Sequence, residues 1–308
     1  MTLGGCGSRS GQRGLTTRNL TVGGSKRTYI VYLPMNLDPS KPTPFVFVFH
    51  GFAMTAQDMV DITQYTTLAD SEGFGLAFPE GENGSDMNQP PWNVENPGQT
   101  VCGNGQYTSA PGDDFSFIDA IKGDVAQDQC LDSAHIFSTG FSMGGYFAHH
   151  IACYRNDMSA VAPHSGGTIA DLSVCTTGHV PILILHGAGD TLIADACDDP
   201  TSAPPIDGFP ASATLWAKKN GCESTYTTMP AAGAGGGQGQ CYLYDGCPAD
   251  GQVELCTFTG MNHCWAGGSA TGGRPDLACP TYASATELEW DFFKKYGWNK
   301  SGGVSVAN

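Results

Sequence analysis

Short apolar runs alternate with longer amphipathic segments along the chain. Residues 44–49 form a nearly continuous apolar run, and residues 180–185, the greater part of a predicted strand at 180–186, form another. Runs of this kind, bounded by turn residues, are typical of strands buried on both faces of a sheet. The distribution of apolar and β-forming residues predicts further strands at 27–33, 74–78, 134–138, 159–162 and 253–258.

Segments with helical spacing of apolar residues separate these strands. Met59, Ile62 and Leu68 predict a helix over 55–71, with Thr55 as its N-cap. The sequence predicts further helices over 113–127, 143–153, 211–220 and 285–296. Strands that alternate with helices over this length predict an α/β fold, in which helices cover both faces of a mostly parallel sheet.

The chain contains no internal repeat and no linker that would separate two domains. We predict a single domain over residues 15–298, with an N-terminal tail at 1–14 and a C-terminal tail at 299–308. Long loop insertions interrupt this domain at 81–112, 194–210 and 230–251. Loops of such length in a compact domain are usually functional or disordered.

The charge balance excludes one large class of partner. The 308 residues include 30 Asp and Glu against 14 Lys and Arg, which gives a formal net charge of −16. Such a field repels a phosphate backbone, so we expect no nucleic-acid partner. The longest apolar runs are far shorter than the roughly 18 residues of a membrane-spanning helix, so we expect a soluble protein without a membrane anchor.

The twelve cysteines, between Cys6 and Cys279, indicate an extracellular protein. No Cys-x-x-Cys pair occurs, which argues against a metal or redox site and favours disulfides formed in an oxidising compartment. The first residues lack the pattern of a signal peptide, so we interpret the chain as a mature secreted form with an added Met1. N-glycosylation sequons begin at Asn19, Asn83 and Asn299.

The segment Gly140-Phe141-Ser142-Met143-Gly144 fits the pattern G-x-S-x-G between the predicted strand 134–138 and the predicted helix 143–153. This is the context in which a sharp turn presents a nucleophilic serine, because glycine on both sides permits close packing. The helix N-terminus adds N–H donors and a positive dipole end for a developing oxyanion. The alternative is a glycine-rich connector with an ordinary serine.

A serine nucleophile needs a base and an orienting carboxylate, which follow in the chain order Ser, Asp or Glu, His in this type of site. Asp190 comes after the strand 180–186, and His263 comes after the strand 253–258. We therefore predict Ser142, Asp190 and His263 as the catalytic residues. The alternatives are Asp195, Asp198 or Asp199 for the carboxylate and His164 for the base.

The oxyanion is expected to bind two backbone N–H groups. One belongs to Met143, directly after the predicted nucleophile, and the other to Phe52, in the loop after the strand 44–49. The alternative for Phe52 is a side chain that only packs.

With these motifs, the sequence resembles the secreted feruloyl and acetyl-xylan esterases of carbohydrate esterase family one. That group is similar to bacterial polyhydroxybutyrate-depolymerase-like esterases. The resemblance implies an α/β-hydrolase fold, Ser142 as nucleophile, His263 as base, Asp190 as its partner, and neither metal nor cofactor. The matching stretches are 27–34, 50–52, 140–145, 186–190, 216–222 and 263–268.

The sequence departs from this family at one disulfide. Some fungal relatives join a cysteine just before the nucleophile to one just after the catalytic histidine. Here Phe141 occupies the first position, so Cys264 is expected to pair elsewhere, with Cys6 as one candidate. The insertion 81–112, which contains Trp92 and Cys102, has no clear counterpart and could form a wall facing the substrate.

The resemblance implies a monomeric enzyme that releases ferulic or related hydroxycinnamic acids from plant arabinoxylan through an acyl-enzyme. Trp265 and Trp92 would offer flat apolar surfaces to a phenolic acyl group or a sugar ring, or would only anchor their loops. Acetylated xylan, aliphatic polyesters and small esters are the alternative substrates. The alternative from another class is a non-catalytic carbohydrate-binding protein on an esterase scaffold.

Overall fold

The computed structural model describes residues 6, 9, 11–82, 91–94, 112–193, 211–231, 239–271, 274–279 and 283–299. The predicted insertion 194–210, with the alternative carboxylates Asp195, Asp198 and Asp199, lies outside the described residues. So do Asn83, Cys102 and the greater part of the insertion 81–112.

Ten strands form one sheet within the described ranges. They are β1 (Gly14–Val22), β2 (Ser25–Leu33), β3 (Thr43–Phe49), β4 (Gly75–Pro79), β5 (Leu131–Phe141), β6 (Ala160–His164), β7 (Ile182–Gly187), β8 (Tyr226–Pro230), β9 (Gly239–Tyr244) and β10 (Val253–Phe258). Their order is β1-β2-β4-β3-β5-β6-β7-β10-β9-β8. Two short strands, β11 (Trp265–Ala266) and β12 (Ala278–Cys279), form a separate parallel pair.

The centre of the sheet, from β4 through β3, β5, β6 and β7 to β10, is parallel. Antiparallel pairs close both ends, β1 with β2 and β9 with β8. This arrangement confirms the predicted mostly parallel sheet. Because the central strands point the same way, the loops that follow β3, β5, β7 and β10 emerge at one carboxyl edge.

Helices cover both faces of this sheet. The helices are α1 (Ala56–Thr63), α2 (Tyr65–Glu72), α3 (Asp114–Asp128), α4 (Met143–Tyr154), α5 (Ala211–Asn220) and α6 (Ala285–Tyr296), with short 3-10 turns at Leu172–Val174, Pro275–Leu277 and Gly297–Asn299. α3, α4 and α5 pack in one hydrophobic cluster, and α1, α2 and α6 pack in the other. Among the described residues, no helix has the length and apolar character needed to cross a membrane.

Strand β3 explains how the two clusters are separated. Phe45, Phe47 and Phe49 belong to the cluster of α3, α4 and α5, whereas Val46 and Val48 belong to the other. Successive side chains of a strand point to opposite faces, so a strand buried on both faces must be apolar at every position. This is why the run 44–49 predicts the strand so well.

The structure corrects the sequence predictions at three places. The helix predicted over 55–71 is two helices, because Gln64 between them adopts a left-handed backbone conformation with φ 58°. Strands β1 and β8 fall in segments for which no strand was predicted. The predicted insertion 230–251 contains β9, which pairs with β10.

Disulfides join ten of the cysteines that the structure describes, which confirms the expectation of disulfide bonding. The pair containing Cys264 is Cys264–Cys279, and Cys6 bonds to Cys130 instead, so the suggested Cys6–Cys264 bridge is wrong. Cys279 is near because β12 lies beside β11, just after Cys264. The remaining bridges are Cys153–Cys175, Cys222–Cys247 and Cys241–Cys256.

A buried acid joins helix α6 to helix α2. Glu289 is fully buried, and the Tyr65 hydroxyl donates to its Oε2 at 2.5 Å. Burial raises the pKa of Glu289 well above its usual range, although contacts with Tyr65 and Thr139 oppose the shift. The folded protein therefore holds Glu289 in its neutral form at pH values where an unfolded chain ionises it.

The raised pKa of Glu289 contributes a loss of stability as the pH rises. The stabilising contribution of Glu289 is complete below the usual pKa of a glutamate and is lost as the pH rises toward its folded pKa. We expect the unfolding free energy of E289Q to fall less than that of the wild type between pH 4 and pH 8, because glutamine does not ionise. Urea unfolding at both pH values measures the change in unfolding free energy. The control is E287Q, because Glu287 is exposed. Equal pH dependence in E289Q and wild type would contradict the prediction.

Candidate active site

The predicted nucleophile lies at the tight turn between β5 and α4. Ser142 has φ 56° and ψ −117°, a backbone conformation that residues with a side chain rarely adopt. Its N–H donates to the carbonyl oxygen of His164 at 3.0 Å, and its own carbonyl accepts from Tyr146 N–H at 3.0 Å. These bonds hold the strained residue at the carboxyl edge of the sheet, with 8% of its surface exposed.

The glycines around Ser142 permit backbone contacts that any side chain would prevent. A Cβ on Gly140 would overlap the carbonyl group of Gly144, and a Cβ on Gly144 would overlap the carbonyl oxygen of Phe49. A Cβ on Gly145 would lie 2.6 Å from the carbonyl oxygen of His164. The G-x-S-x-G pattern therefore reflects the packing of α4 directly against the ends of β3, β5 and β6.

Asp190 and His263 come together from two loops at the same edge. His263 Nδ1 lies 2.7 Å from Asp190 Oδ2. The other carboxylate oxygen, Oδ1, accepts the backbone N–H groups of Leu192 and Ile193, both at 3.0 Å. Gly189 N–H donates to the Met261 carbonyl at 2.8 Å and so ties the two loops together. The carboxylate is fixed in position and oriented toward the imidazole.

The surroundings of Asp190 favour its ionised form. The side chain is buried, which by itself would raise its pKa, but contacts to two imidazoles outweigh burial. His186 Nε2 lies 3.3 Å from Oδ2, the oxygen that also contacts His263. The net result is a pKa of Asp190 below its usual range. A permanently ionised carboxylate would stabilise a positive charge on His263.

His263 also lies beside the serine turn. Its ring centroid is 4.8 Å from that of Phe141, the residue before Ser142. Within the described residues, Ser142 Oγ makes no hydrogen bond to His263. Hydrogen bonds between catalytic groups are often long in the absence of substrate and shorten in the complex.

The predicted oxyanion donors belong to the two segments next to Ser142, the start of α4 and the loop after β3. Met143 is the first residue of α4, where a backbone N–H has no carbonyl partner within the helix. The loop after β3 lies against the serine, since a Cβ on Gly51 would be 3.0 Å from Ser142 Cβ. Phe52 follows in that loop, and 39% of its surface is exposed. The loop that carries Phe52 thus lies near the nucleophile, and the Phe52 side chain is partly exposed instead of packed in the core.

The alternative base, His164, is occupied elsewhere. It is fully buried and stacks on Trp265, with ring centroids 4.7 Å apart. Its Nε2 accepts the Ala266 N–H at 3.2 Å, and its Nδ1 lies 3.0 Å from Ser165 Oγ. Burial lowers the pKa of His164 well below its usual range. A neutral imidazole with both nitrogens engaged supports the loop after His263.

The two tryptophans expected to face the substrate are buried. Trp92 is 0% exposed, stacks on Phe147, and donates its indole N–H to the carbonyl oxygen of His50 at 2.7 Å. Trp265 is 1% exposed, and its indole N–H donates to Thr286 Oγ1 at 3.2 Å. Neither ring presents a face to solvent in this structure. Burial and hydrogen bonding favour the alternative stated above, in which they anchor their loops.

Two further histidines, His186 and His50, lie at this edge and were not predicted as residues of the site. His186 contacts Asp190, and His50 precedes the loop that carries Phe52. The signal was a shared His-Gly pair at the carboxyl ends of β7 and β3.

Possible metal ligands cluster at one place in the described part of the chain. Cys241, Glu254 and Cys256 lie close together, but the two cysteines form a disulfide. That bond leaves no thiolate for a metal.

A mostly parallel sheet with helices on both faces and a serine on a strand-to-helix turn defines an α/β-hydrolase fold. The model of the Esterase family matches residues 21–225. Feruloyl esterase C of Emericella nidulans is 32% identical over 215 residues, which cover 68% of each chain. The chain therefore belongs to this esterase family and is a carboxylic ester hydrolase.

Two further comparisons agree with this assignment. Feruloyl esterase B of Piromyces equi is 26% identical over 279 residues, which cover 88% of this chain and 45% of that protein. The solved structure of acetyl xylan esterase from Aspergillus awamori matches with a TM-score of 0.57 at 17% identity, over 80% of this chain and 94% of that one. The family model and the match to the Emericella nidulans protein confirm the resemblance drawn from the motifs, and the solved structure confirms the fold.

The contact between Asp190 and His263 generates a prediction for catalysis. Asp190→Asn removes the negative charge and permits the wrong imidazole tautomer, so we expect kcat on 4-nitrophenyl acetate to fall about 10⁴-fold. Asp250→Asn is the matched control, because Asp250 Oδ1 contacts the exposed His179 at 3.1 Å in another part of the molecule. A kcat for D190N within about threefold of wild type would exclude Asp190 as the orienting carboxylate.

Proposed function

We propose that the protein is a secreted feruloyl esterase, which releases ferulic or related hydroxycinnamic acids from plant cell-wall arabinoxylan. The observation that carries the catalytic part is the juxtaposition of His263, its buried carboxylate partner Asp190 and the strained Ser142 turn. The substrate class is supported by the relatives named feruloyl esterase. The net charge of −16 favours a neutral polysaccharide over a strongly anionic one.

The reaction proceeds through an acyl-enzyme. Ser142 Oγ attacks the ester carbonyl carbon as its proton passes to His263 Nε2, while Asp190 stabilises the resulting imidazolium. The backbone N–H groups of Phe52 and Met143 donate to the oxyanion of the tetrahedral intermediate. His263 then protonates the leaving alcohol, and water hydrolyses the acyl-enzyme by the same steps.

Secretion is supported by the disulfides. The bridges join separate segments of the described chain, and bonds of this kind form and persist in oxidising compartments outside the cytosol.

The second candidate is an esterase that removes acetyl groups from xylan. Among the described residues, the burial of Trp92 and Trp265 favours it, because neither ring is available to stack on a phenolic acyl group. An acetyl group needs no such surface. The substrate preference therefore separates the two candidates.

Hydrolysis of methyl ferulate and of 4-nitrophenyl acetate tests the proposal. We expect turnover of both substrates by the wild type, and a loss of about 10⁶-fold in kcat with Ser142→Ala, because the nucleophile is removed. Exposed Ser173 changed to Ala serves as the matched control and should keep full activity.

The outcomes distinguish the candidates. Turnover of acetate without ferulate would favour the acetyl esterase. Full activity in S142A would refute the serine mechanism. A wild-type protein that hydrolyses neither ester and is not labelled by a serine-directed phosphonate would support a non-catalytic binding protein.

A further inference from the structure

We propose that His50 is a positioning residue for the oxyanion hole. Its imidazole holds the peptide group between Gly51 and Phe52, and thereby aims the Phe52 N–H at the reacting carbonyl. The inference rests on the proposed function, because it assumes that Ser142 attacks and that the Phe52 N–H binds the oxyanion.

The contacts of His50 determine its tautomer. The side chain is fully buried directly after β3, with Nδ1 2.8 Å from the Gly51 carbonyl oxygen and Nε2 2.9 Å from Gly81 N. A backbone N–H can only donate, so Nε2 accepts and Nδ1 carries the proton. Glu80 Oε1 lies farther away, 3.3 Å from Nε2.

The bond from His50 to Gly51 controls the direction of the Phe52 N–H. The Gly51 carbonyl and the Phe52 N–H belong to one planar peptide group, in which they point in opposite directions. The carbonyl oxygen accepts from His50 Nδ1 and, at 3.3 Å, from Met54 N–H. With this oxygen held on one side, the Phe52 N–H is fixed on the other.

The loop needs such support because its backbone is strained. Ala53, directly after Phe52, has φ 55°, which is unfavourable for a residue with a side chain. Gly51 also lies in contact with Ser142, so a small rotation of the peptide would change the distance to the nucleophile. An oxyanion donor is effective only when it is held in position before the reaction.

A second set of contacts connects His50 to the start of the insertion 81–112. Trp92 donates its indole N–H to the His50 carbonyl at 2.7 Å, and Gly81 donates to the His50 ring. Gly81 and Trp92 are themselves joined through their neighbours, since Glu82 N–H donates to the Pro91 carbonyl at 3.1 Å. The buried indole of Trp92 thus acts on the oxyanion loop through His50.

Two amide substitutions distinguish the role of Nδ1 of His50 from that of Nε2. Asparagine places its amide nitrogen near the position of Nδ1 and can still donate to Gly51, whereas glutamine reaches only toward Gly81. We expect H50Q to lower kcat on 4-nitrophenyl acetate at least 10-fold with KM within about threefold, since loss of one oxyanion donor costs about 10²–10³ in kcat. H50N should retain kcat within about threefold of wild type. H179Q, at an exposed histidine, is the matched control.

Phenylboronic acid gives a readout that a general loss of structure would not mimic. Ser142 Oγ adds to boron as its proton passes to His263, and the adduct places a boron-bound oxygen in the oxyanion hole. We expect its Kd to rise in H50Q by about the factor by which kcat falls, and to stay near the wild-type value in H50N. If H50Q does not fold, W92F is measured instead. Phenylalanine keeps a packed ring at this position and loses the N–H that donates to the His50 carbonyl. We expect kcat to fall and the Kd of phenylboronic acid to rise, with KM unchanged.

The result that overturns the inference is an equal loss of kcat in H50N and H50Q, or unchanged kcat and boronate Kd in H50Q. Unchanged values in W92F overturn it where H50Q is unfolded. If the proposed function itself were wrong, the result would be a different one: S142A would keep the esterase activity and the boronate binding of the wild type.

Discussion

The structure depends on the close approach of backbone to backbone beneath Ser142. Helix α4 begins so near the ends of β3, β5 and β6 that Gly140, Gly144 and Gly145 leave no space for a Cβ atom. A methyl group at any of these positions would separate the helix from the sheet or flatten the strained serine turn. The same contact brings the loop after β3 against the nucleophile, so the place of the oxyanion donors follows from the packing of glycine. The geometry of the site is therefore set by main-chain contacts before any catalytic side chain is considered.

The acid–base pair depends on a second backbone contact at the same edge. Gly187 and Gly189 lie against the main chain of Met261, so the loops after β7 and β10 are joined before their side chains meet. This lets a carboxylate be buried without loss of its charge, because Asp190 receives two backbone N–H groups and lies near two imidazoles. The cost of removing the charge from water is offset by groups that are already in place.

The sequence predicted those features that depend on local pattern. The strand at 253–258 and the helix at 285–296 agree with the structure because both have strong apolar periodicity. Strand β1 was missed because it is a half-exposed edge strand with Thr, Arg and Asn at many positions, so little hydrophobic pattern remains. The break at Gln64 and the burial of Trp92 result from tertiary contacts that no local pattern encodes. For the site, chain order identified the Asp190–His263 pair, but the contacts of the two ring nitrogens of His50 arise only in the folded chain.

The disulfides differ in the length of chain that they close. Cys6–Cys130 spans 124 residues, whereas Cys264–Cys279, which directly follows His263, spans 15. A short closed loop restrains mainly its own segment. Both cysteines of the Cys264–Cys279 bridge are buried in the hydrophobic cluster of α1, α2 and α6. The loop of the base is thus attached to the packing of one face of the sheet, so a substitution within that cluster would move the base without touching any residue of the site.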